Sequence, residues 1–486
     1  MSSPSTLSMM SILKRQSDKG VLSYSYTITA NPAFRKLSHS AGSTSHLFVL
    51  PFCNCNLQDL MMNILLIGAN FKNKGAEAMA ITAIRELSER VPNANFTVAS
   101  YAAREALPYG EHTLTIRDRE CTFRLIRNQK SLSTAGRVLG GALSPTKALR
   151  ARVARGNTYL EAIASADIVI DISGFALTDK RPLHRRVVFV AEILTAKIFR
   201  KPFVVLTQAV GPFEQLMTRV LAKIGLPLAD LVCARGESTV KYLEALGIQK
   251  KTKVIRCADS AYLFSCGGHD SSPPLIQRPP HDQPIIGIVP NTNVFDRAKT
   301  IDGINSYTAL LAATIDHAVE MLNARVVFIC HEHYEGRKDD QWLAHEAIRH
   351  STHGPSVQVI SGNHSAVDLK RAIGNADLLI ASRFHSLVAA NSLAVPSIAL
   401  AWAHKYHELF AEAGIPELVF DGDDLVVSEF IPHLDHAWNR RDEIAQTLRE
   451  RQESLRASAR QAFDAVAEMI HADNDPQRAL PQKNAA

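Results

Sequence analysis

Ala376-Asp377-Leu378-Leu379-Ile380-Ala381-Ser382-Arg383-Phe384-His385-Ser386-Leu387 reads as a buried strand that turns directly into a helix. The apolar run from Leu378 to Ala381 is short and suits a parallel strand covered on both faces. A helical pattern follows through Leu387, Val388, Asn391 and Leu393. Arg383 and His385 therefore fall at the carboxyl end of a strand and the amino end of a helix. Ligands bind at that edge of open α/β sheets, and unpaired helix N–H groups there attract anions. An arginine and a histidine at such an edge predict a site for a small anion whose chemistry moves a proton.

The same arrangement recurs earlier in the chain. Ala229-Asp230-Leu231-Val232-Cys233-Ala234 leads into Arg235-Gly236-Glu237-Ser238 and then a helical pattern stopped by Gly247. A third strand, Ala166-Asp167-Ile168-Val169-Ile170-Asp171, runs into Ser173-Gly174-Phe175. Two arginines at matching strand ends, one in each half, predict two doubly wound domains facing each other.

At 486 residues the chain is long enough for two or three domains. Its 46% apolar and 21% charged residues are those of a soluble globular protein. No apolar run approaches the length of a membrane span. Residues 1–60 hold five Lys/Arg against two Asp, so they supply +3 of the net charge of +6. The nearly balanced remainder argues against a dedicated nucleic-acid binder. Seven scattered cysteines point to a reducing compartment, and a cytoplasmic location is expected.

Alternating strand and helix patterns from Asn63 onward predict an α/β protein with parallel sheets covered on both faces. Residues 1–60, rich in serine and without periodicity, read as a disordered or non-native leader. The expected units are an N-terminal Rossmann-like domain over 61–265, a linker over 266–284 marked by Gly and Pro pairs, and a C-terminal Rossmann-like domain over 285–430. A C-terminal helix over 431–472 and a disordered tail over 473–486 follow. That helix, strongest over about 437–471, carries an apolar stripe at Ile444, Leu448, Leu455 and Phe463. The stretch 117–155, with ten Lys/Arg against two acids, reads as an inserted surface helix or loop.

Several motifs fall at predicted strand ends. Gly68 to Ala78 is neither a dinucleotide fingerprint nor a P-loop, but Gly75 permits close approach of a ligand, and Glu77 follows it. Gly174 and the Gln208-Ala209-Val210-Gly211-Pro212 turn suit a cleft wall. Asp259, before the linker, acts either as an acid or base, as a partner for an arginine, or as a helix cap. Cys330-His331-Glu332-His333 lacks a third ligand at metal spacing, so His331 reads as a cleft histidine and no metal is expected. Lys405, after the strand over 397–400, adds positive charge to the edge that holds Arg383.

Taken in order, these motifs resemble the polysaccharide pyruvyl transferase family. The resemblance runs from about Asn63 to about Gly422 and rests on Asn73-x-Gly75-x-Glu77, Gly174, Gln208 to Pro212, Arg235-x-x-Ser238, Asp259, Arg383-x-His385 and Lys405. It implies a fold similar to GT-B glycosyltransferases, with the site between two Rossmann-like domains. It also implies transfer of a pyruvyl group from phosphoenolpyruvate to a sugar of a cell-surface polysaccharide or its lipid-linked precursor, with release of phosphate and no cofactor. By the same resemblance Arg235, Arg383, Phe384 and His385 contact the donor. Of the ionisable residues, His385 is the first candidate for proton transfer, with Asp259, Glu77 and His331 as candidates for the second proton. The partners expected are phosphoenolpyruvate and a glycan acceptor, with peripheral contact to a lipid-linked glycan and no nucleic acid. Two other readings suit the same architecture: a nucleotide-sugar glycosyltransferase, and a non-catalytic anion-binding protein.

Overall fold

Met62-Asn63-Ile64-Leu65-Leu66-Ile67-Gly68-Ala69 forms strand β1 (Met62–Ala69) in a computed structural model that describes residues 61–103, 107–116, 119–128, 146–266, 274–278, 283–333, 336–421 and 425–473. Ile64 and Leu66 enter one apolar layer, while Leu65 and Ile67 enter the other. Burial on both faces with a two-residue period is what places β1 inside a sheet covered by helices.

Around β1 the chain adds β2 (Ala94–Ser100), β3 (Gly110–Ile116), β4 (Arg119–Arg127), β5 (Ile168–Asp171), β6 (Phe203–Gln208), β7 (Leu231–Arg235) and β8 (Lys253–Cys257). These form an eight-stranded sheet in the order β3-β4-β2-β1-β5-β6-β7-β8. All neighbours are parallel except β3 and β4. After β9 (Ile285–Val289) comes a small hairpin, β10 (Thr300–Ile301) and β11 (Ile304–Asn305). The second sheet continues with β12 (Arg325–Ile329), β13 (Gln358–Ile360), β14 (Leu378–Ala381), β15 (Ser397–Ala401) and β16 (Val419–Asp421). Its order, β13-β12-β9-β14-β15-β16, is wholly parallel. The architecture is the expected one: two Rossmann-like doubly wound sheets facing a cleft. Strand order reverses between β1 and β5 in one sheet and between β9 and β14 in the other, and crevices form at such reversals.

The structure departs from the sequence reading in three places. Within the basic stretch, Arg119–Arg127 is not a surface insert but strand β4, hydrogen-bonded to β2 and β3. Phe123 and Leu125 are buried and Thr122 and Arg124 exposed, an alternation that the run of positive charge disguises; Ile126 is buried as well, on the opposite face of the strand. Helix Lys147–Ala154 follows, and 129–145 lie outside the described residues. The C-terminal helix is two helices, Val427–Asn439 and Arg441–Asp473, which meet at Arg440. Asp442 and Glu443 open the second, and acids in a first turn favour a helix start. In the predicted linker, residues 274–278 are fastened to the second sheet's unit: Gln358 donates to the Leu275 carbonyl (3.1 Å) and Arg278 pairs with Asp377 (3.1 Å). The predicted leader and all of the predicted tail beyond Asp473 lie outside the described residues.

Helix Arg441–Asp473 ties the two sheets together. Its Ser458 hydroxyl accepts from the Ala258 N–H (3.0 Å), its Asp464 accepts from Arg90 (2.7 Å), and its Arg456 donates to the Ser392 carbonyl (3.2 Å). Leu448, Leu455, Phe463 and Val466 are buried beneath it. Because Phe463 is fully buried at this crossing, Phe463→Ala should destabilise the chain by about 3–5 kcal/mol. Chemical denaturation of the variant measures this; a midpoint unchanged from wild type would mean the helix does not hold the sheets together.

Candidate active site

The two reversals of strand order open onto one cleft of about 340 Å³. The first sheet contributes Asn70, Asn73, Gly75, Gly174 and Arg235, and the second contributes Asn291, His331, Arg383, Phe384, His385 and Lys405. Eight residues singled out from sequence thus meet: Gly75, Gly174, Arg235, His331, Arg383, Phe384, His385 and Lys405.

Three of the contacts that join the sheets across this cleft set its geometry. The His385 ring occupies the space that a Cβ on residue 75 would fill, so only glycine is accommodated there. Asn73 caps helix Lys74–Arg90 through its Oδ1 and donates from Nδ2 to Glu332 Oε1 (2.6 Å). The Arg235 guanidinium lies over the Phe384 ring, 4.4 Å from its centroid.

Arg383 sits at the N-terminus of helix Phe384–Ser392, as the strand-to-helix grammar requires. Its Nη1 pairs with Glu332 Oε2 (2.6 Å), its Nη2 with Asp340, and its Nε donates to the Pro290 carbonyl (3.4 Å). Asp340 also accepts the N–H groups of His331 (3.0 Å) and Glu332 (2.9 Å). Burial would raise the Glu332 carboxyl, but Arg383 outweighs it and holds it below the usual range. Burial pushes the Asp340 carboxyl up to about 6 against the pull of Arg383, which still leaves it ionised at neutral pH. The fork expected to face an anion is already bridged by two carboxylates, and a donor reaching it has to displace one.

Arg235 pairs through Nη1 with buried Asp259, and no partner for its Nε is found among the described residues. Asp259 Oδ2 stands 3.8 Å from His385 Nε2, and its Oδ1 accepts the Ala261 N–H (2.8 Å). The Asp259 carboxyl is raised by burial but more strongly lowered by Arg235 and His385, so it is ionised. Burial drives His385 down to about 4; Asp259 opposes this, and Arg235 and Lys405 reinforce it. The result is a neutral imidazole backed by a carboxylate.

Lys405 lies among four rings, with its Nζ 4.3 Å from the centroid of Phe175, 4.9 Å from Phe384, 5.0 Å from Trp402 and 5.6 Å from Tyr406. It makes no hydrogen bond or ion pair among the described residues. Burial, then Arg235 and Arg181, push its pKa well below that of an ordinary lysine. Aromatic faces favour the ammonium while burial disfavours it. An arriving anion would tip the balance to the charged form. His331 Nε2, His385 Nε2 and Trp402 Nε1 are likewise buried and without hydrogen-bond partners among the described residues. Buried polar atoms are nearly always paired, so these three are groups on the cleft that a bound ligand could satisfy.

Two expected residues lie elsewhere. Glu77 is buried against Lys74 (3.5 Å) and the Ala366 N–H (3.5 Å), outside the cleft wall. Gln208 donates to Asp171 Oδ1 (2.5 Å), which also accepts the Ser173 N–H (2.8 Å) and hydroxyl (2.6 Å). It shapes the Ser173-Gly174 turn from behind. Sequence reasoning missed Glu332 and Asp340 as partners of Arg383, and the rings around Lys405. The aromatic signal was present, since Phe175 and Trp402 each follow a strand end.

The polysaccharide pyruvyl transferase family model matches residues 73–404, and the chain belongs to that family. A curated relative, the amylovoran biosynthesis protein AmsJ of Erwinia amylovora, is 21% identical over 300 residues, 60% of this chain and 70% of that protein. Among solved structures, a putative UDP-N-acetylglucosamine 2-epimerase from Listeria monocytogenes aligns with TM-score 0.54 at 13% identity, covering 85% of this chain and 97% of its own. The MnaA–UDP co-structure from S. aureus aligns with TM-score 0.53 at 14% identity, covering 84% and 96%. At such identity these likenesses show the GT-B-like fold alone. Among the described residues no helix is long and apolar enough to cross a membrane.

His331 is lowered from 6.5 to about 3, first by burial and then by Arg383, His385 and Lys74. The folded chain therefore refuses a proton that the unfolded chain accepts below pH 6.5. Stability present above that pH is lost as pH falls toward the folded value, by about 2 kcal/mol near pH 5 for this one group. His331→Asn should escape that loss, so its unfolding free energy should fall less steeply than wild type between pH 7.5 and 5. Parallel curves would show that His331 is not held neutral.

Proposed function

We propose that this member of the polysaccharide pyruvyl transferase family moves a pyruvyl group from phosphoenolpyruvate onto two hydroxyls of a sugar, forming a ketal and releasing phosphate. The observation that carries this reading is the convergence of Lys405, of Arg235 with its buried and unpartnered Nε, and of neutral His385 on one cleft. Phosphoenolpyruvate brings a carboxylate and a phosphate on three carbons, which suits dense cationic groups with fork geometry. Arg235 and Lys405 hold these anionic groups, with Phe175 and Phe384 beneath them. Arg383 orders Glu332 and Asp340 and carries positive charge behind them.

Two hydroxyl oxygens bond to the central donor carbon as the carbon–oxygen bond to phosphate breaks. Two hydroxyl protons leave the sugar; one ends on the former methylene carbon and the other on phosphate. His385, neutral and 3.8 Å from the Asp259 carboxylate, is the group suited to accept a hydroxyl proton. A bound phosphate would raise its basicity, matching the step at which it takes the proton. The acceptor class is a polysaccharide or its lipid-linked precursor, supported by the family and by a relative named for amylovoran biosynthesis. Phosphoenolpyruvate is a cytoplasmic metabolite, and this reading puts the reaction there.

Phosphate release from phosphoenolpyruvate, followed over a panel of glycans, should depend on both donor and acceptor. His385→Asn should keep donor binding yet lose about 10²- to 10⁴-fold in turnover at saturation, together with the acidic limb of the pH profile. Nucleotide released from a sugar nucleotide, with no phosphate from phosphoenolpyruvate, would replace this reading with glycosyl transfer. Donor binding by calorimetry without turnover on any glycan would favour a binding protein.

A further inference from the structure

Helix Leu216–Gly225 is amphipathic in the reverse sense. Its apolar residues Leu216, Met217, Val220 and Ile224 share one face and point to solvent, with Leu216 74%, Met217 51% and Ile224 49% exposed. Its buried face is made of Thr218, Ala222 and Gly225. A helix of a soluble domain ordinarily turns its apolar stripe to the core. Gly225 brings this helix close to Val190 and Ile193 of helix Leu183–Ile198, and Arg186 joins the two through Gln215 (2.8 Å). The neighbouring helix extends the apolar surface with exposed Leu183, Val187 and Leu194. A contiguous exposed apolar surface of this kind marks an interaction site.

The charges around this surface are mostly positive. Lys180, Arg181, Arg185, Arg200, Arg219 and Lys223 are exposed on these two helices and the turns that flank them, against exposed Glu214 and Asp230. Arg219 and Lys223, one turn apart, run along an edge of the apolar stripe. The surface also adjoins the cleft, because Arg185, Val188 and Glu192 of helix Leu183–Ile198 line it. We infer that this two-helix face docks on an anionic lipid surface, with the apolar stripe entering the headgroup boundary and the basic rim meeting lipid phosphates. Apolar side chains flanked by Lys and Arg are the chemistry of interfacial binding. A second copy placed face to face would set basic rim against basic rim. The chain's own residues 1–60, with five Lys/Arg against two Asp, would also bring like charge. Lipid phosphate is the complementary occupant. Docking there would hold the cleft mouth beside the bilayer; only the further step, delivery of a lipid-linked acceptor, rests on the proposed function.

The test needs no turnover, so it stands or falls separately from pyruvyl transfer. The full chain is sedimented with vesicles of phosphatidylcholine alone and of phosphatidylcholine with phosphatidylglycerol. Wild type should partition onto the anionic vesicles, less so as salt is raised. Met217→Asp combined with Ile224→Asp should melt with wild type, both sites being exposed, and should bind at least about tenfold more weakly. Leu216→Ser with Val220→Ser gives an uncharged version of the same test. Arg219→Glu with Lys223→Glu should weaken binding and flatten its salt dependence. Absence of wild type from anionic vesicles, or equal binding by the Met217 and Ile224 variant, would overturn the inference. A concentration-dependent dimer that the same variant disrupts, with no vesicle binding, would assign the face to a second copy instead.

Discussion

The cleft exists because residue 75 has no side chain. The imidazole of His385 lies where any Cβ at that position would be, so the first helix of one sheet can meet the first turn of helix Phe384–Ser392 from the other. Gly75 stands in the first turn of its helix, where glycine is otherwise a poor choice because it loses more backbone freedom than alanine. The close approach is the compensation. It seals one side of His385 from water and contributes to the burial that keeps the ring neutral. Asn73, two residues before, reaches the second sheet through Glu332 and so fixes the same approach by a hydrogen bond. One missing methyl group thereby sets both the spacing of the sheets and the protonation state of the histidine between them.

Charge in the cleft is divided unequally, and the division separates support from binding. Arg383 faces two carboxylates, Glu332 and Asp340, so that corner is electrostatically satisfied before any ligand arrives. A buried charge with its partners removed is costly, and these two pairs join the loop after β12 to the helix after β14. Arg235 faces one carboxylate, and Lys405 faces aromatic rings alone. The unspent positive character therefore lies on the Arg235 and Lys405 side, over Phe175 and Phe384. Asp259 sits at the junction, ion-paired to Arg235 and within 3.8 Å of His385, so binding of an anion at Arg235 is felt at the imidazole through one carboxylate.

The fold was legible because it is written locally. Four or five apolar residues followed by a polar turn and a helical pattern identify strands such as Leu378–Ala381 and Leu231–Arg235, and parallel sheets put those turns on one edge. That is also why Arg235, Arg383 and His385 could be named from sequence alone. What could not be read was set by contacts between distant segments. Asp340 and Glu332 reach Arg383 across a whole strand–helix unit, and nothing in their spacing predicts it. Gln208 looked like a cleft residue because it ends a strand, but a side chain at a strand end points to one face or the other, and its carboxamide turned toward Asp171. Strand β4 was hidden by its charge, although Arg124 and Arg127 are exposed, as charged residues of a half-exposed strand are.

Sheet-end chemistry also explains why the helices beside the cleft are unusual. Helix Leu183–Ile198 has three obligations around its circumference: Phe189 and Ile193 enter the core, Arg185 and Glu192 face the cleft, and Leu183, Val187 and Leu194 face outward. A helix that only covered a sheet would leave its outer third polar at no cost to the fold. Here that third is apolar, and the neighbouring helix Leu216–Gly225 matches it while meeting its partner through small residues that need little room. The two helices are thus built to pack closely with each other and to present large side chains away from the protein. Local stability gives no reason for that pattern, since exposed Leu, Met and Ile gain nothing from water. An anionic surface beside the cleft mouth, as proposed above, would supply the burial that the fold itself withholds from these side chains.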